Sequence, residues 1–520
     1  MQDYLHGRAP ASGFFQGSPF DLDSFRRKLE EVRARFGRAE RERAAGALRP
    51  TSPAARERLH RFVEEGGAVV TTGQQAGFLT GPLYTVYKAL TAARLADHLQ
   101  ERLGVIVVPV FWTASEDHDW EEANHADLLV PRHGVQRVRL PGSPTLPRPM
   151  SETYLSQDVR NVLDSISQLI GSEPYADECM KLVRAAYSPG ESVAGAFSEL
   201  LGELLAPFDV CLTDAADPVL KRASVPVLRR ALTDAHAQEA ILAGRTKEIE
   251  EAGYGAQVAV LPGATNVFYE GDAGRERLYR RGDHFVGNDS GTRLTPEELE
   301  EVLEHDPKLL SPNVFLRPVV ESAVFPTLAY VAGPGEASYF AQLGPLFPEF
   351  GMQAPVIFPR GSATLVEPAV ARLAERLGMG AADLAGPWHE VRHATARRAV
   401  APELQEALAR LSRAVADGYA AAMAQAGAVD PELPLALASL RNEALANVGE
   451  AEQSVVRHVK RREALLLEQV ARLRANLRPE GELQERVLNV LPFLARHGGG
   501  LLQAAADAFG AEMAERFTGP

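Results

Sequence analysis

The sequence predicts an α/β core of parallel strands followed by a mainly helical C-terminal part, and three observations carry that reading. The almost wholly apolar run Val105-Ile106-Val107-Val108-Pro109-Val110-Phe111-Trp112 suits a parallel strand covered on both faces. A β-branched strand at 69–72, a glycine-rich turn and a helix precede it. That order makes a right-handed βαβ unit the default. Beyond about Glu367 the texture changes to helix rich in Ala, Leu, Glu and Arg.

Taken in order, residues 1–20 read as an irregular arm, and helices are expected around 25–36 and 53–62. After the strand at 69–72 comes the turn Gly73-Gln74-Gln75-Ala76-Gly77, and Thr80-Gly81-Pro82 then opens a helix reaching about Gly104. Thr80 suits its N-cap and Pro82 an early helical position, with Leu83, Val86, Tyr87 and Leu90 on one apolar face. Residues 131–160, with Pro131, Pro141, Pro144, Pro147 and Pro149, read as an excursion from the sheet, followed by helix over 162–205. A strand at 208–213 and another helix follow. Short β-like pieces at 257–261, 266–269 and 284–286 suggest a small antiparallel insertion, and 326–331 and 355–358 read as further core strands around a helix at 336–346.

In the C-terminal part, Leu404, Leu408, Leu411 and Val415 are spaced 4-3-4, and Leu466, Val470, Leu473 and Leu477 repeat that spacing. This is the seam of a coiled coil or a long helical hairpin. The expected division is a core at 1–366, with insertions at about 131–205 and 225–310, and a helical coiled-coil domain at 367–520. The two seams are expected to pair antiparallel across the Pro-rich turn at 430–434, leaving any residual seam for a second copy.

At 520 residues the chain has room for a sizeable core, and a net charge of −14 argues against a general binder of nucleic acid or anionic membranes. Cys179 and Cys211 are too few for a disulfide framework or a zinc site. The start, Met1-Gln2-Asp3-Tyr4-Leu5-His6-Gly7-Arg8, lacks the pattern of a signal peptide, and no apolar run reaches bilayer-spanning length. A cytoplasmic protein is expected.

In a parallel sheet the turns that follow the strands emerge at the carboxyl edge, where ligands bind. Here those turns carry Gly73, Gln74 and Gln75; Glu116-Asp117-His118-Asp119 with Glu121, Glu122, Asn124 and His125; Asp214 and Asp217; Gly333-Pro334-Gly335-Glu336 with Tyr339; and Arg360 and Ser362. A glycine turn at a helix N-terminus presents unpaired N–H groups to a phosphate or carboxylate, although a tight connection that binds nothing reads equally well. His118 among carboxylates suits a general base or a neighbour of magnesium; the alternative is a helix N-terminus whose acids merely complement its dipole. Arg317, in an apolar proline-bounded run, suits a bidentate anion contact or a salt bridge to Glu321 or Glu336. Lys88 reads as a solvated lysine, with a phosphate contact as the alternative.

Four stretches together resemble the BshC family of bacillithiol biosynthesis, the putative cysteine ligases. They are Thr72-Gly73-Gln74-Gln75-Ala76-Gly77-Phe78-Leu79-Thr80-Gly81-Pro82-Leu83-Tyr84-Thr85; Pro109-Val110-Phe111-Trp112 with Glu116-Asp117-His118-Asp119; Leu310-Ser311-Pro312-Asn313-Val314-Phe315-Leu316-Arg317-Pro318-Val319; and Ala329-Tyr330-Val331-Ala332-Gly333-Pro334-Gly335-Glu336 with Tyr339-Phe340. The resemblance implies a Rossmann-like core of nucleotidyltransferase type with inserted segments, and a coiled-coil domain that makes a homodimer. It also implies a ligase joining L-cysteine to glucosaminyl-malate, with ATP and magnesium expected for carboxylate activation.

On that expectation Gly73, Gln74, Gln75, Thr80 and Gly81 hold phosphate, and His118 is the base, steered by Asp117 and Asp119. Asn313, Arg317 and Tyr330, with Gly333, Gly335, Glu336 and Tyr339, bind substrate, while Glu116 and Asp119 take magnesium. Two further readings are a nucleotidyl- or glycosyl-transferase acting on a sugar, and a non-catalytic dimeric scaffold built on the coiled coil.

Overall fold

A computed structural model describes residues 2–130 and 134–518, so Pro131 of the expected excursion lies outside the described residues. The chain forms two compact units: the described residues of 1–130, 136–363 and 488–520, and those of 131–135 and 364–487. The chain thus leaves the first unit close to the expected boundary but returns to it at 488, although 488–520 was expected in the helical domain. The returning helix Gly500–Thr518 lies on the helix Leu83–Leu103, with Phe509 against Tyr87 and Asp507 paired with Arg94.

In chain order the first strands are β1 (Arg49–Pro50), β2 (Ala68–Gln75), β3 (Val107–Ala114), β4 (His125–Val130), β5 (Gly134–Arg139) and β6 (Cys211–Asp214). Then come β7 (Ala264–Gly271), β8 (Gly274–Arg281), β9 (His284–Gly287), β10 (Arg293–Leu294) and β11 (Leu310–Pro312). The last are β12 (Thr327–Ala332) and β13 (Val356–Pro359). The central sheet has the order β1-β6-β3-β2-β12-β13, parallel except for β1 at its edge.

Both faces of this sheet are covered, which is why its strands read as continuous apolar runs. Val69, Val108, Val110, Tyr330 and Ile357 pack on one side with Leu59 and Phe62 of the helix Pro53–Glu64. Val70, Val107, Val331 and Val356 pack on the other with Leu29 of the helix Leu22–Arg35 and Leu95 of Leu83–Leu103. From β2 the chain winds one way through β3 to β6, then crosses back to β12 and β13 on the far side. The order therefore reverses between β2 and β12, and a crevice is expected there at the carboxyl ends.

Two insertions rise from this sheet. The first, between β3 and β6, holds the β4–β5 pair and the helices Val159–Ile170, Ala176–Ala186 and Val193–Leu205. The second holds an antiparallel sheet, β10-β9-β8-β7-β11. Residues 257–261 are not strand as expected; the Gln257 and Val258 amides instead donate to the buried Gln342 side chain at 3.0 Å each.

In the second unit the helices Pro402–Ala426 and Leu433–Arg462 pair as a hairpin. The stripe at 466–477 does not serve as the expected partner of the stripe at 404–415. Val470, Leu473 and Leu477 pack on Val370, Leu373, Leu384 and Val391, because short helices before the hairpin offer a closer apolar surface. Leu404, Leu411, Leu435 and Leu440 stay exposed on the hairpin. Among the described residues no helix is long and apolar enough to cross a membrane.

Candidate active site at the carboxyl edge of the sheet

The centre of the crevice is Lys88. It lies on the helix Leu83–Leu103, buried at 3% exposure, and its ammonium reaches Glu336 at 2.6 Å. The same group donates to the Gly73 carbonyl at 2.8 Å and to Gln74 Oε1 at 2.9 Å. Gln74 Nε2 donates to the Tyr84 hydroxyl at 3.1 Å. Glu336 accepts from the Tyr330 hydroxyl at 2.8 Å and from the Gly333 amide at 2.8 Å. One connected network thus joins the end of β2, the following helix, the end of β12 and the helix Pro334–Leu343. Lys88 is not the solvated lysine that was expected.

Gly73, Gln74 and Gln75 are not a turn. They continue β2 in register with Trp112, Thr113 and Ala114 of β3. Glycine is required at 73 because a Cβ there would lie 2.7 Å from the Trp112 carbonyl oxygen. Nor does Thr80 cap the next helix: Pro82 occupies the N-cap, and Leu83 N, the first helical amide, donates to the Leu488 carbonyl at 2.8 Å. Thr80 and Gly81 are buried beneath that returning segment. Along this stretch the Gly77 and Gly81 amides donate to the Gln75 and Phe78 carbonyls and the Leu79 amide to the Tyr187 hydroxyl, so those donors are not offered to a phosphate.

The end of β3 supplies the acidic wall. Gln75 Nε2 donates to Asp117, whose other oxygen accepts from the Asp119 amide at 3.1 Å. Burial favours the neutral acid, but these donors together with Arg275 and Arg317 hold Asp117 below the usual carboxylate range. Asp119 caps the short helix Trp120–Ala123 by accepting from the Glu122 amide at 3.0 Å. Glu122, absent from the expected site, is raised above 4.5 by burial and by Asp117 and Asp119.

Two expectations fail at this wall. Glu116 pairs with Lys221, which is also held by the Leu310 carbonyl at 2.7 Å, so Glu116 and Asp119 do not form a ligand pair. Among the described residues no group of three or more His, Cys, Asp or Glu side chains is placed to hold a metal ion, whereas magnesium carried by a nucleotide needs only one or two carboxylates. His118 is steered by Arg275, not by Asp117 and Asp119: the Arg275 guanidinium lies 3.1 Å from Nδ1. Arginine can only donate, so Nδ1 accepts and the proton sits on Nε2. Burial and Arg275 both lower the His118 pKa from 6.5. Nδ1 of His118 is thus engaged by Arg275, and Nε2–H is the donor it offers.

The basic wall comes from the second insertion and from β13. Arg275 is fixed by Ser311 Oγ at 3.0 Å and by the Phe268 ring, 4.0 Å from its guanidinium carbon. Arg317 opens the helix Arg317–Val324 beside Tyr339, Tyr330, Asp117 and Glu336; burial works against its charge, yet these neighbours raise its pKa. Tyr330 and Tyr339 are both pushed up by burial and by Glu336. Arg360, after β13, lies over the Tyr84 ring with its guanidinium carbon 5.6 Å from the centroid. Gly335 is exposed in the first turn of its helix.

Asn313 is not available to substrate. It is buried, its side-chain oxygen caps Phe315 and Leu316 at 3.0 Å each, and its amide donates to Asn266.

Beneath Arg317 lies Glu321, buried at 3% exposure, accepting from Thr71 Oγ1. Burial pushes its carboxyl up from 4.5 to about 8, against the pull of Thr71 and Arg317. Between those two values the folded protein holds a proton that the unfolded chain has released, so stability falls as pH rises through that window. Glu321→Gln removes the titration. The variant is expected to gain on the wild type by up to about 1.4 kcal/mol per pH unit. Urea unfolding of both proteins at pH 6, 7 and 8 checks this; parallel curves contradict it.

Lys88, Arg275, Arg317 and Arg360 thus stand among Asp117, Asp119, Glu122 and Glu336 at the carboxyl ends of the strands, with Glu321 neutral below about pH 8. The first unit matches the family model described as the N-terminal Rossmann-like domain of bacillithiol biosynthesis BshC over residues 1–361, and the C-terminal coiled-coil domain model of the same family matches residues 363–515. The chain belongs to the BshC family.

Curated relatives agree in length as well as in pattern. A protein of Koribacter versatilis is 35% identical over 477 residues, covering 90% of this chain and 88% of that protein. Those of Salinibacter ruber and Solibacter usitatus are 33% and 32% identical, covering 86% and 95% of this chain and 82% and 92% of their own. Each bears the name "putative cysteine ligase BshC". The BshC coiled-coil model runs to residue 515, whereas in this chain the residues from 488 on fold with the Rossmann-like unit.

Proposed function

We propose that the chain is a ligase that joins the carboxyl group of L-cysteine to the amine of glucosaminyl-malate, the last step of bacillithiol biosynthesis. The observation that supports this reading is the two-signed crevice. Glucosaminyl-malate carries carboxylates and an amine, and cysteine carries one of each. Arg317 and Arg360, with Lys88 behind them, suit the carboxylates, and the Asp117, Asp119 and Glu122 wall suits the ammonium groups.

Roles follow from protonation states. The attacking amine must lose a proton, and Glu122, beside Asp117 and Asp119 and raised above 4.5 by them and by desolvation, is the acceptor we assign. His118 Nε2–H donates to the oxygen that becomes negative as the amide forms, and Arg275 holds that tautomer. ATP with magnesium remains the proposed source of carboxylate activation. When bound, it would turn a carboxylate oxygen into a leaving group, and the Gly77, Leu79 and Gly81 amides are not offered to its phosphates. The exposed Leu404, Leu411 and Leu440 support a homodimer through the helical hairpin.

The test is to incubate purified protein with glucosaminyl-malate, cysteine, ATP and magnesium, omitting each in turn, and to seek bacillithiol by mass spectrometry. No product under any nucleotide would refute the reading. Where product forms, kcat is expected to rise with pH on an acid limb above 4.5 that Glu122→Gln abolishes. His118→Ala is expected to lower kcat by about 10²–10³ without moving that limb. A limb that survives Glu122→Gln but vanishes in His118→Ala would reverse the two assignments.

A further inference from the structure

The connection from β2 to the helix Leu83–Leu103 is held in a conformation its own residues disfavour. Leu79, Thr80 and Gly81 have φ of +53°, +75° and +69°. For a β-branched threonine the left-handed region is a genuine outlier. The Thr80 and Thr85 hydroxyls are moreover buried without a hydrogen-bond partner among the described residues. Such a loop persists only where its surroundings over-determine it.

The surroundings come from far away in sequence. Asn489 is fully buried, at 0% exposure, and its side-chain amide donates to the Leu79 and Gly81 carbonyls at 2.6 Å each. Its side-chain oxygen accepts from the Leu491 amide at 2.9 Å. On the other side the Leu79 amide donates to the Tyr187 hydroxyl at 2.9 Å. Both carbonyls of the strained turn are thus tied to one side chain more than four hundred residues downstream. This loop sets where the helix carrying Tyr84 and Lys88 stands relative to Gly73 and Gln74 on β2.

We propose that Asn489 is a positioning residue of the crevice: by clamping the loop at 79–81 it holds Lys88 in its seat between β2 and Glu336. The inference rests on the proposed function only for its effect on turnover. The clamp itself is read without any substrate.

Three variants test it at a temperature well below their unfolding. Asn489→Asp keeps the size and the acceptor for Leu491 but loses both donors; Asn489→Ala loses all three bonds; Tyr187→Phe releases the loop from its other side, at the Leu79 and Thr80 backbone. Hydrogen exchange by mass spectrometry reads the amides at 79–88. Acetylation by an N-hydroxysuccinimide ester reads the exposure of Lys88 against Lys221 as internal reference.

Asn489→Asp and Asn489→Ala are expected to speed exchange at 79–88 at least tenfold and Lys88 labelling about tenfold, with exchange in β3 and β12 unchanged. Tyr187→Phe is expected to do less, and remains informative if both Asn489 variants fail to fold. Wild-type exchange and labelling in every variant that folds would overturn the proposal. So would a rise spread evenly over the first unit, which marks a merely structural residue. In a wild type that makes bacillithiol, kcat is expected to fall at least thirtyfold in Asn489→Asp with the KM for cysteine within threefold; an unchanged kcat overturns the proposal. A wild type without ligase activity would refute the proposed function and leave the exchange and labelling results to judge the clamp.

Discussion

Replacing Arg317 with methionine is expected to lower kcat/KM by about a thousandfold or more, with most of the loss in the KM for the malate-bearing substrate. Arg317 is the cation that faces Tyr330, Tyr339, Asp117 and Glu336 together, so the substitution strips the basic wall of the group best placed to take a carboxylate with two parallel bonds. Truncating one partner of a buried, hydrogen-bonded charge pair costs about 2–5 kcal/mol of binding, roughly thirtyfold to several thousandfold. Arg317→Lys restores charge but not the planar fork, and is expected to recover less than a tenth of the activity. Steady-state kinetics on the three proteins check this. Equal rates for arginine and lysine would show that Arg317 acts only as a point charge.

The second large effect concerns Lys88. Lys88→Met leaves Glu336 against Tyr330 without its 2.6 Å ammonium partner, in a place where Lys88 is 3% and Glu336 19% exposed. Breaking a buried pair from one side costs about 3–5 kcal/mol. The double variant Lys88→Met with Glu336→Gln removes both charges and is expected to regain most of that stability while remaining inactive. Urea unfolding at pH 7 measures the cycle. Additive effects of the two substitutions would show that the pair is not coupled.

Much of this arrangement was legible in the sequence because sheet physics is local and periodic. The run at 105–112 is apolar on both faces, and the structure covers β3 on both. The polar residues placed after successive strands do meet: Gln75 holds Asp117, and Gln74 and Glu336 hold Lys88 from two sides. The family resemblance likewise led to the Rossmann-like core that the structure has.

What the sequence concealed depends on partners distant in the chain. Gly73 reads as a turn because glycine usually punctuates; only the close Trp112 carbonyl explains it as strand. Thr80 reads as a cap because nothing local reveals that Leu488 supplies the acceptor for the helix's first amide. Lys88 reads as solvated because a lone lysine on a helix usually is. Val86, Tyr87, Leu90 and Thr91, one to three positions from it, are all buried, and their mainly apolar character was the available signal of a lysine turned inward. His118 kept its place but changed its role, since the Arg275 that sets its tautomer sits on an inserted sheet 157 residues away.

The central claim is that loops from separate strands build one crevice between β2 and β12 that holds the amino-sugar substrate. A crystal structure of the protein soaked with glucosaminyl-malate tests it most directly. Ligand density is expected with the malate carboxylates on Arg317 and Arg360 and the sugar amine toward Asp117 and Glu122. Density at full occupancy anywhere away from the carboxyl edge of β2 and β12 would contradict it.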